Sequence, residues 1–385
     1  MKILIVLTYY RPHISGLTIY AERLAKAFAV RGHEVTVLTS RFKKELPSEE
    51  IVSGVRIVRA PVLFRLSKGV IMPTFGFIAN RLVREADVIQ LHLPQFDAAG
   101  ISFRGRLLRK PTVITYHCDL LMPPGLFNRI ANLGVTFMNQ LTGMFTHRIV
   151  TYTQDYADNS SYLTQYLKKL KIIPPPVVLP AVTKESVEGF AKEHNPQNRH
   201  PVIGMATRFA SEKGVEVLLK ALPEVLKKHP DTIVQFVGTY QKVFSEAAYF
   251  ERLRPEIEEF EANGHWQFLG ELDPEQMAKY YPNLDVLTVP SLNSTEAFGL
   301  VQIEAMMNGV PCVTSSLPGV RQPVKIHDMG AIFPIGDSQA LAQSLIDVIN
   351  KGKSNFENQL DFSRYQPDDI AQAYEELFQE IRQTL

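Results

Sequence analysis

Glu296 and Glu304, in the stretch TEAFGLVQIEA, stand eight positions apart with only apolar residues, a glycine and a glutamine between them. Eight helical positions span roughly 12 Å. That is beyond an ion pair, and beyond the roughly 5 to 9.5 Å over which two carboxylates act on one glycosidic bond. The pair is therefore expected to hold opposite ends of one elongated ligand; the competing reading is two exposed acids on a surface turn. Upstream, LDVLTVPS reads as a strand closed by Pro and Ser, and LVQIEAMMNG as a short helix stopped by Gly309. The N–H groups of Phe298, Gly299 and Leu300 are then expected to open between the acids and receive an anion. Carboxylate, anion site, carboxylate suits a sugar, a diphosphate and a ribose, because each carboxylate can accept two hydrogen bonds from a vicinal hydroxyl pair.

Three other loops carry candidate chemistry. In ATRFASEKG, Arg208 and Lys213 flank a turn into a helix expected to start near Ser211 or Glu212. Two cations at a helix N-terminus suit a diphosphate, and a bound anion would explain a lysine there, since alone it opposes the helix dipole. In TYHCD, His117 closes a strand, and Asp119 would share its side if the strand continued. In TYYRPHISGLTIY, Gly16 precedes a helix, where a glycine lets backbone N–H groups approach a phosphate. A satisfied structural histidine and a plain helix start are the competing readings of the last two.

The elements that would position these loops alternate. KILIVLT, EVTVLT, GVRIVRA, ADVIQLH, PTVITYH and HRIVTYT read as strands, separated by helical patterns such as residues 18–33. The proline cluster KIIPPPVVLP, residues 171–180, reads as a stiff extended linker. After it the alternation resumes with PVIGMAT, a helix to about Lys228, TIVQFVG, HWQFLG, LDVLTVPS and VPCVTSS. The chain of 385 residues exceeds the usual single-core limit of about 250 to 300. The expectation is an α/β protein of two doubly wound parallel-sheet domains, 1–175 and 176–365, with a final helix at 366–385 crossing back to the first. Their sheets' carboxyl ends would face a central cleft.

Composition narrows the classes. Cys118 and Cys312 lie far apart in or beside apolar runs, as reduced core thiols do. No D-x-D carboxylate pair and no metal-ligand spacing occurs, so no metal and no cofactor is expected. No stretch approaches the 18 or so apolar residues of a membrane span, and MKILIVLTYYRP reads as a buried strand rather than a leader, which points to the cytoplasm. Charge is lopsided: residues 1–150 hold 20 Lys and Arg against 9 Asp and Glu, +11, and residues 151–385 hold 21 against 31, −10. A basic first half suits an anionic surface or acceptor. The apolar-rich segments 63–84 and 119–145 either lie on a membrane or face the core. Nucleic acid is not expected as a partner, for lack of a recognisable motif.

These residues resemble the retaining glycosyltransferases of family 4, with the GT-B architecture of two Rossmann-like domains. The resemblance rests on the glycine loop before RGHEVTVLT, on TYH, on R-F-x-x-E-K-G, and above all on E-x₇-E followed by AMMNGVPCVTSS. It implies hexose transfer from a nucleotide diphosphate sugar, UDP-sugar favoured over GDP-mannose, to a glycan or lipid-linked acceptor in polysaccharide or cell-envelope synthesis. By similarity Arg208 and Lys213 would neutralise the diphosphate, Glu304 bind the ribose and Glu296 the transferred sugar. His117 would orient that sugar, and Gly16 admit the first loop to the phosphates. The enzyme would work in the cytoplasm, peripheral on the inner face of the plasma membrane. Two departures stand out: Ser15 replaces the first of the usual two glycines, and Thr207 the glycine usual before the diphosphate arginine. They leave room for a non-catalytic nucleotide-sugar-binding protein; a nucleotide-sugar epimerase of the same fold is the other alternative, against which the combined E-x₇-E and R-x₄-K pattern argues.

Overall fold

β1 (Lys2–Val6) is buried from Ile3 onward, as an apolar strand covered on both faces must be. The computed structural model describes residues 1–66, 69–121, 126–241, 243, 246–356 and 361–385. α1 (Gly16–Val30) starts at Ser15, whose Oγ accepts the Thr18 N–H at 3.2 Å; this capping role gives a physical reason for serine at 15. There follow β2 (Glu34–Arg41), β3 (Glu49–Val52), β4 (Val55–Pro61), β5 (Phe64–Leu66), β6 (Gly69–Ile71), α2 (Phe75–Glu85), β7 (Val88–Leu93) and α3 (Ala98–Leu107). β8 (Thr112–Tyr116), α4 (Leu126–Phe145), β9 (Arg148–Thr151), α5 (Gln154–Asn159) and β10 (Leu170–Ile172) complete the series. Among the described residues the main sheet runs β10-β9-β8-β7-β1-β2-β4-β3, parallel except for the edge hairpin β3–β4.

That hairpin has no counterpart in the sequence reading. Val52 pairs with Val55 around Ser53 and Gly54, whose φ of 51° and 77° match the primed two-residue turns that hairpins prefer. Segment 63–84 is a strand pair and a helix rather than helix alone, with residues 67–68 outside the described residues. Segment 119–145 carries α4, with 122–125 outside them.

After the prolines come α6 (Lys184–His194), β11 (Val202–Ala206), α7 (Val215–Lys228), β12 (Ile233–Val237), α8 (Ala247–Ala262), β13 (Trp266–Gly270) and α9 (Pro274–Tyr280). Then follow β14 (Val286–Val289), α10 (Leu300–Met306), β15 (Cys312–Ser315), α11 (Gln322–His327), β16 (Gly330–Phe333), α12 (Ser338–Lys351) and α13 (Pro367–Gln383). The described strands of this sheet are all parallel in the order β13-β12-β11-β14-β15-β16. This is the doubly wound order, and its direction reverses between β11 and β14. Neither Cys118 nor Cys312 is in a disulfide.

Contacts divide the chain into residues 1–178 with 363–385 as one compact unit and 179–362 as the other. α13 belongs to the core of the first: the Tyr374 hydroxyl lies 2.8 Å from that of Tyr20 and 2.7 Å from Thr115 Oγ1. Glu375 receives Arg31 at 2.6 Å and Glu380 receives Arg148 at 2.7 Å, fastening the same helix at two further points. The extended proline segment is tied down where Tyr365 accepts the Val177 N–H at 2.8 Å and Arg23 donates to the carbonyls of Pro176 and Val178.

Candidate functional site

In open α/β sheets, ligands bind beyond the strand carboxyl ends at the point where strand order reverses. In the second unit the loops after β11 and β14 flank that point, and they carry Arg208, Lys213 and Glu296. Lys213 Nζ donates to Glu296 at 2.6 Å, and both side chains are largely buried. The approach depends on Gly214. Its φ is +73°, and a Cβ there would stand 2.0 Å from the Pro290 carbonyl oxygen, so only glycine lets the two loops close. A second tie runs from the Leu292 N–H to the Glu212 carbonyl at 2.9 Å.

Three expectations are corrected here. α7 starts at Val215; Ser211–Lys213 is a separate 3₁₀ turn, because the left-handed Gly214 breaks the helix before it reaches Lys213. The cations are not free: Arg208 is hydrogen-bonded to Glu212, and Lys213 to Glu296. Nor does the Gly299 N–H lie open, since it donates to Glu296 at 3.1 Å. Glu296 thus closes its own loop with one carboxylate oxygen and holds Lys213 with the other.

Glu304 lies inside α10 and is 7% exposed. The Tyr281 hydroxyl donates to its carboxylate at 2.7 Å, which fixes where its remaining lone pairs point. The helix itself is anchored by Gln302, whose side-chain N–H groups donate to the Phe298 and Val320 carbonyls, both at 2.9 Å. Leu300 is the first residue of α10, and Phe298 is buried in the loop before it. A small cavity of about 20 Å³, lined by Thr207, Lys213, Thr288, Ser291 and Glu296 among others, opens between the two loops. A larger one, about 300 Å³, lies in the first unit, lined by Tyr10, Glu22, Lys26 and Glu50 among others.

His117 stands one residue beyond β8, and the strand does not continue to Asp119. Asp119 instead accepts from the Tyr116 hydroxyl at 2.8 Å and from Ser160 Oγ at 2.6 Å, a structural acceptor rather than a cleft carboxylate. The His117 ring, 7% exposed, has both nitrogens engaged: Nε2 meets His92 Nδ1 at 2.7 Å, and Nδ1 meets the Tyr152 hydroxyl. Burial, with His92 adding to it, pushes the His117 pKa well below the usual histidine range, and burial alone brings His92 down to about 3. Both imidazoles are therefore neutral at pH 7. Gly16 is the exposed first residue of α1, following the loop after β1.

Sequence reasoning missed the residues that hold these groups: Glu212, Tyr281, His92 and Tyr152. Tyr281, His92 and Tyr152 are ordinary residues 23 to 35 positions from their partners, so no local signal marks them; Glu212, four positions from Arg208, was within local reach. It also missed the loop after β7, at the strand-order reversal of the first unit. There Gln95 is 3% exposed with neither amide atom hydrogen-bonded, and burial raises the Asp97 pKa to about 6.

Comparison with known proteins bears on this geometry. A family model described as glycosyl transferases group 1 matches residues 187–369, and one described as glycosyltransferase family 4 matches residues 14–179. An uncharacterised glycosyltransferase of Methanocaldococcus jannaschii is 25% identical over 349 residues, covering 86% of this chain and 85% of that protein. The phosphatidyl-myo-inositol mannosyltransferase of Mycolicibacterium smegmatis is 23% identical over 352 residues, covering 91% and 85%. Among solved structures, Anabaena HepE in complex with UDP superposes with a TM-score of 0.73 at 19% identity, covering 99% of this chain and 100% of that one. The sucrose-phosphate synthase of Thermosynechococcus elongatus gives 0.72 at 18% identity, with both chains covered in full. At such identities these two likenesses establish the fold.

Proposed function

The chain belongs to the GT-B glycosyltransferases, its two halves each matching a glycosyltransferase family model, and from that premise we propose that it transfers a hexose with retention from a nucleotide diphosphate sugar to a glycan or lipid-linked acceptor. The observation that carries the proposal is the Lys213–Glu296 ion pair at the strand-order reversal, 2.6 Å across. A lysine and a carboxylate there serve two parts of one donor. Lys213, joined by Arg208, takes the diphosphate, and Glu296 takes hydroxyls of the sugar. Each cation exchanges its carboxylate partner for phosphate when the donor arrives, so neither cation is left without an anionic partner in either state.

Glu304, oriented by Tyr281, accepts the two ribose hydroxyls. In the transfer step the C1–O bond to the diphosphate breaks as the acceptor oxygen bonds to C1 on the same face. The acceptor proton passes to the leaving phosphate, whose growing charge Arg208 and Lys213 stabilise. With the diphosphate balanced by these cations, the step is written without a metal. In the first unit neutral His117 is held in one orientation by His92 and Tyr152, and its proposed role is to orient the transferred sugar.

UDP is the favoured nucleotide. HepE, whose fold this chain shares, was crystallised with UDP and with UDP-glucose. The phosphatidyl-myo-inositol in the name of the mycobacterial relative supports a lipid-linked acceptor, and its mannosyl transfer keeps GDP-mannose in the comparison. The deciding experiment is a thermal-shift panel of UDP, GDP, ADP and their sugar conjugates, with and without magnesium. One nucleotide raising the melting temperature equally without magnesium is the expected outcome, since binding to the folded state stabilises it. A panel without any shift would remove the donor assignment.

A further inference from the structure

Three segments of the first unit enclose the cavity of about 300 Å³, which the transferase reading does not use: the loop after β1, one face of α1, and residues 46–57 around the β3–β4 hairpin. That volume is at the low end of small-molecule sites, the scale of one sugar ring rather than a nucleotide. Arg59 frames it. This residue is 3% exposed, and its guanidinium donates to the Arg11 carbonyl, to the Pro47 carbonyl and to Glu50. One buried side chain thus joins the first segment to the third.

Tyr10 gives the cavity an unanswered polar group. It is 3% exposed and lines the cavity, yet among the described residues its hydroxyl has no hydrogen-bond partner. A buried hydroxyl costs stability unless something in the cavity bonds to it. Burial keeps the phenol protonated, so it can both donate and accept.

The charged groups beside it select the ligand. Lys26 and Glu22, one turn apart on α1, meet at 2.8 Å, and the other Glu22 oxygen takes the Arg11 Nε–H at 2.5 Å. Both Glu22 oxygens are therefore occupied, which leaves little there for a cation. Arg11 keeps two Nη groups, and Lys26 two N–H donors, without a partner among the described residues. Glu50 gives one oxygen to Arg59 and has the other unbonded. Arg11, Lys26 and Arg59 against Glu22 and Glu50, three charges against two, leave the site at +1. One anionic group balances it, and the planar fork of Arg11 suits a carboxylate or a phosphate. The unbonded Glu50 oxygen and the Tyr10 hydroxyl suit ligand hydroxyls, while Pro12, Val52 and Ile57 supply an apolar wall for the C–H face of a ring.

We propose that this cavity is a second ligand site, holding a monosaccharide that carries one carboxylate or phosphate group, with Arg11 and Lys26 on the anion and Tyr10 and Glu50 on its hydroxyls. The site lies within residues 1–178, so it stands or falls apart from the donor assignment.

The test is titration calorimetry of the full chain with glucuronate and with glucose 6-phosphate, against glucose, without nucleotide. At least one acidic sugar is expected to bind, one per chain and at least about tenfold more tightly than glucose, the worth of one charge-assisted hydrogen bond. Lys26→Met should weaken it about tenfold or more and narrow its margin over glucose. Tyr10→Phe should weaken it about threefold to tenfold with a melting temperature at or above wild type, since the hydroxyl has no protein partner to lose. Lys213→Ala should leave the affinity unchanged. No binding of either acidic sugar, glucose binding as tightly, or an affinity indifferent to Lys26→Met and Tyr10→Phe would overturn the proposal. So would an affinity lost in Lys213→Ala, which would give the sugar to the cations of the second unit. Mass spectrometry of a transfer reaction containing the bound sugar tells its source: an acceptor gains a hexose and an effector is recovered unmodified, and both occupy the site proposed.

Discussion

Lys213 and Glu296, 83 positions apart in the chain, meet at 2.6 Å because β11 and β14 are neighbours in the sheet and Gly214 lets their loops touch. If the pair divides the donor between phosphate and sugar, its two halves should fail differently. Glu296→Ala should lower kcat far more than it weakens binding of the bare nucleotide diphosphate. Lys213→Ala should cost on the order of 10²-fold or more in kcat. The double variant should cost less than the product of the singles, as contacting residues do. Steady-state kinetics with calorimetric nucleotide binding decides it; small, equal effects would sink the assignment.

Tyr281 acts on the nucleotide through Glu304. Tyr281→Phe removes one hydrogen bond to a charged group, so the nucleotide Kd should rise about threefold to tenfold. Glu304→Ala should raise it further. Calorimetry on both variants with the same nucleotide makes the comparison, and an unchanged Kd in Tyr281→Phe would detach the tyrosine from binding.

Gly214→Ala places a methyl 2.0 Å from the Pro290 oxygen at a φ of +73°. Both faults act on one residue, so a loss of about 2 kcal/mol or more is expected in urea unfolding. A variant unfolding at the wild-type midpoint would show that the two loops can separate at little cost.

Acid should destabilise the first unit. Burial holds His92 down to about 3, His147 down to about 4 and His117 well below the ordinary 6.5. Between pH 6.5 and those values the unfolded chain binds more protons than the folded one. The contribution of these imidazoles is therefore complete above pH 6.5 and is lost as pH falls through the window toward 3. Asp97, raised from 3.8 to about 6 by burial, works the other way: its contribution is present below 3.8 and is lost as pH rises through 6. Three imidazoles against one carboxyl should leave a melting temperature that falls steadily from pH 7 to pH 4. A flat profile would contradict the burial of the histidines.

Gln95 spends stability. Neither atom of its buried amide has a partner, so Gln95→Leu should raise the melting temperature, by relief of about 1 kcal/mol or more. A simultaneous fall in transfer rate with an unchanged nucleotide shift would give that amide a role toward the acceptor. An unchanged rate would leave it a core residue.

Much of the architecture is local and was legible as such. Runs like ILIV and VIGMA are apolar throughout because their strands are buried on both faces, and α13 spans residues 367–383, within the 366–385 expected for a final helix. The Ser53–Gly54 hairpin was overlooked although its turn is local too, since a Ser-Gly pair is a weaker sign than Asn-Gly. The α7 start was misplaced because a lone glycine reads as tolerable in a helix until its left-handed φ is seen.

By itself the sequence determined the alternation of elements, the division of charge and the spacing of Glu296 and Glu304, all properties of neighbouring residues. Only the tertiary structure decided what those residues touch. Which loops meet depends on strand order, and the partners of Lys213, Glu304 and His117 lie 83, 23 and between 25 and 35 positions away. The direction of α4 was decided there as well. Its apolar spacing is the same whether the stripe faces core or water, and the packing of Tyr162 and Tyr166 over Gly143 turns it outward.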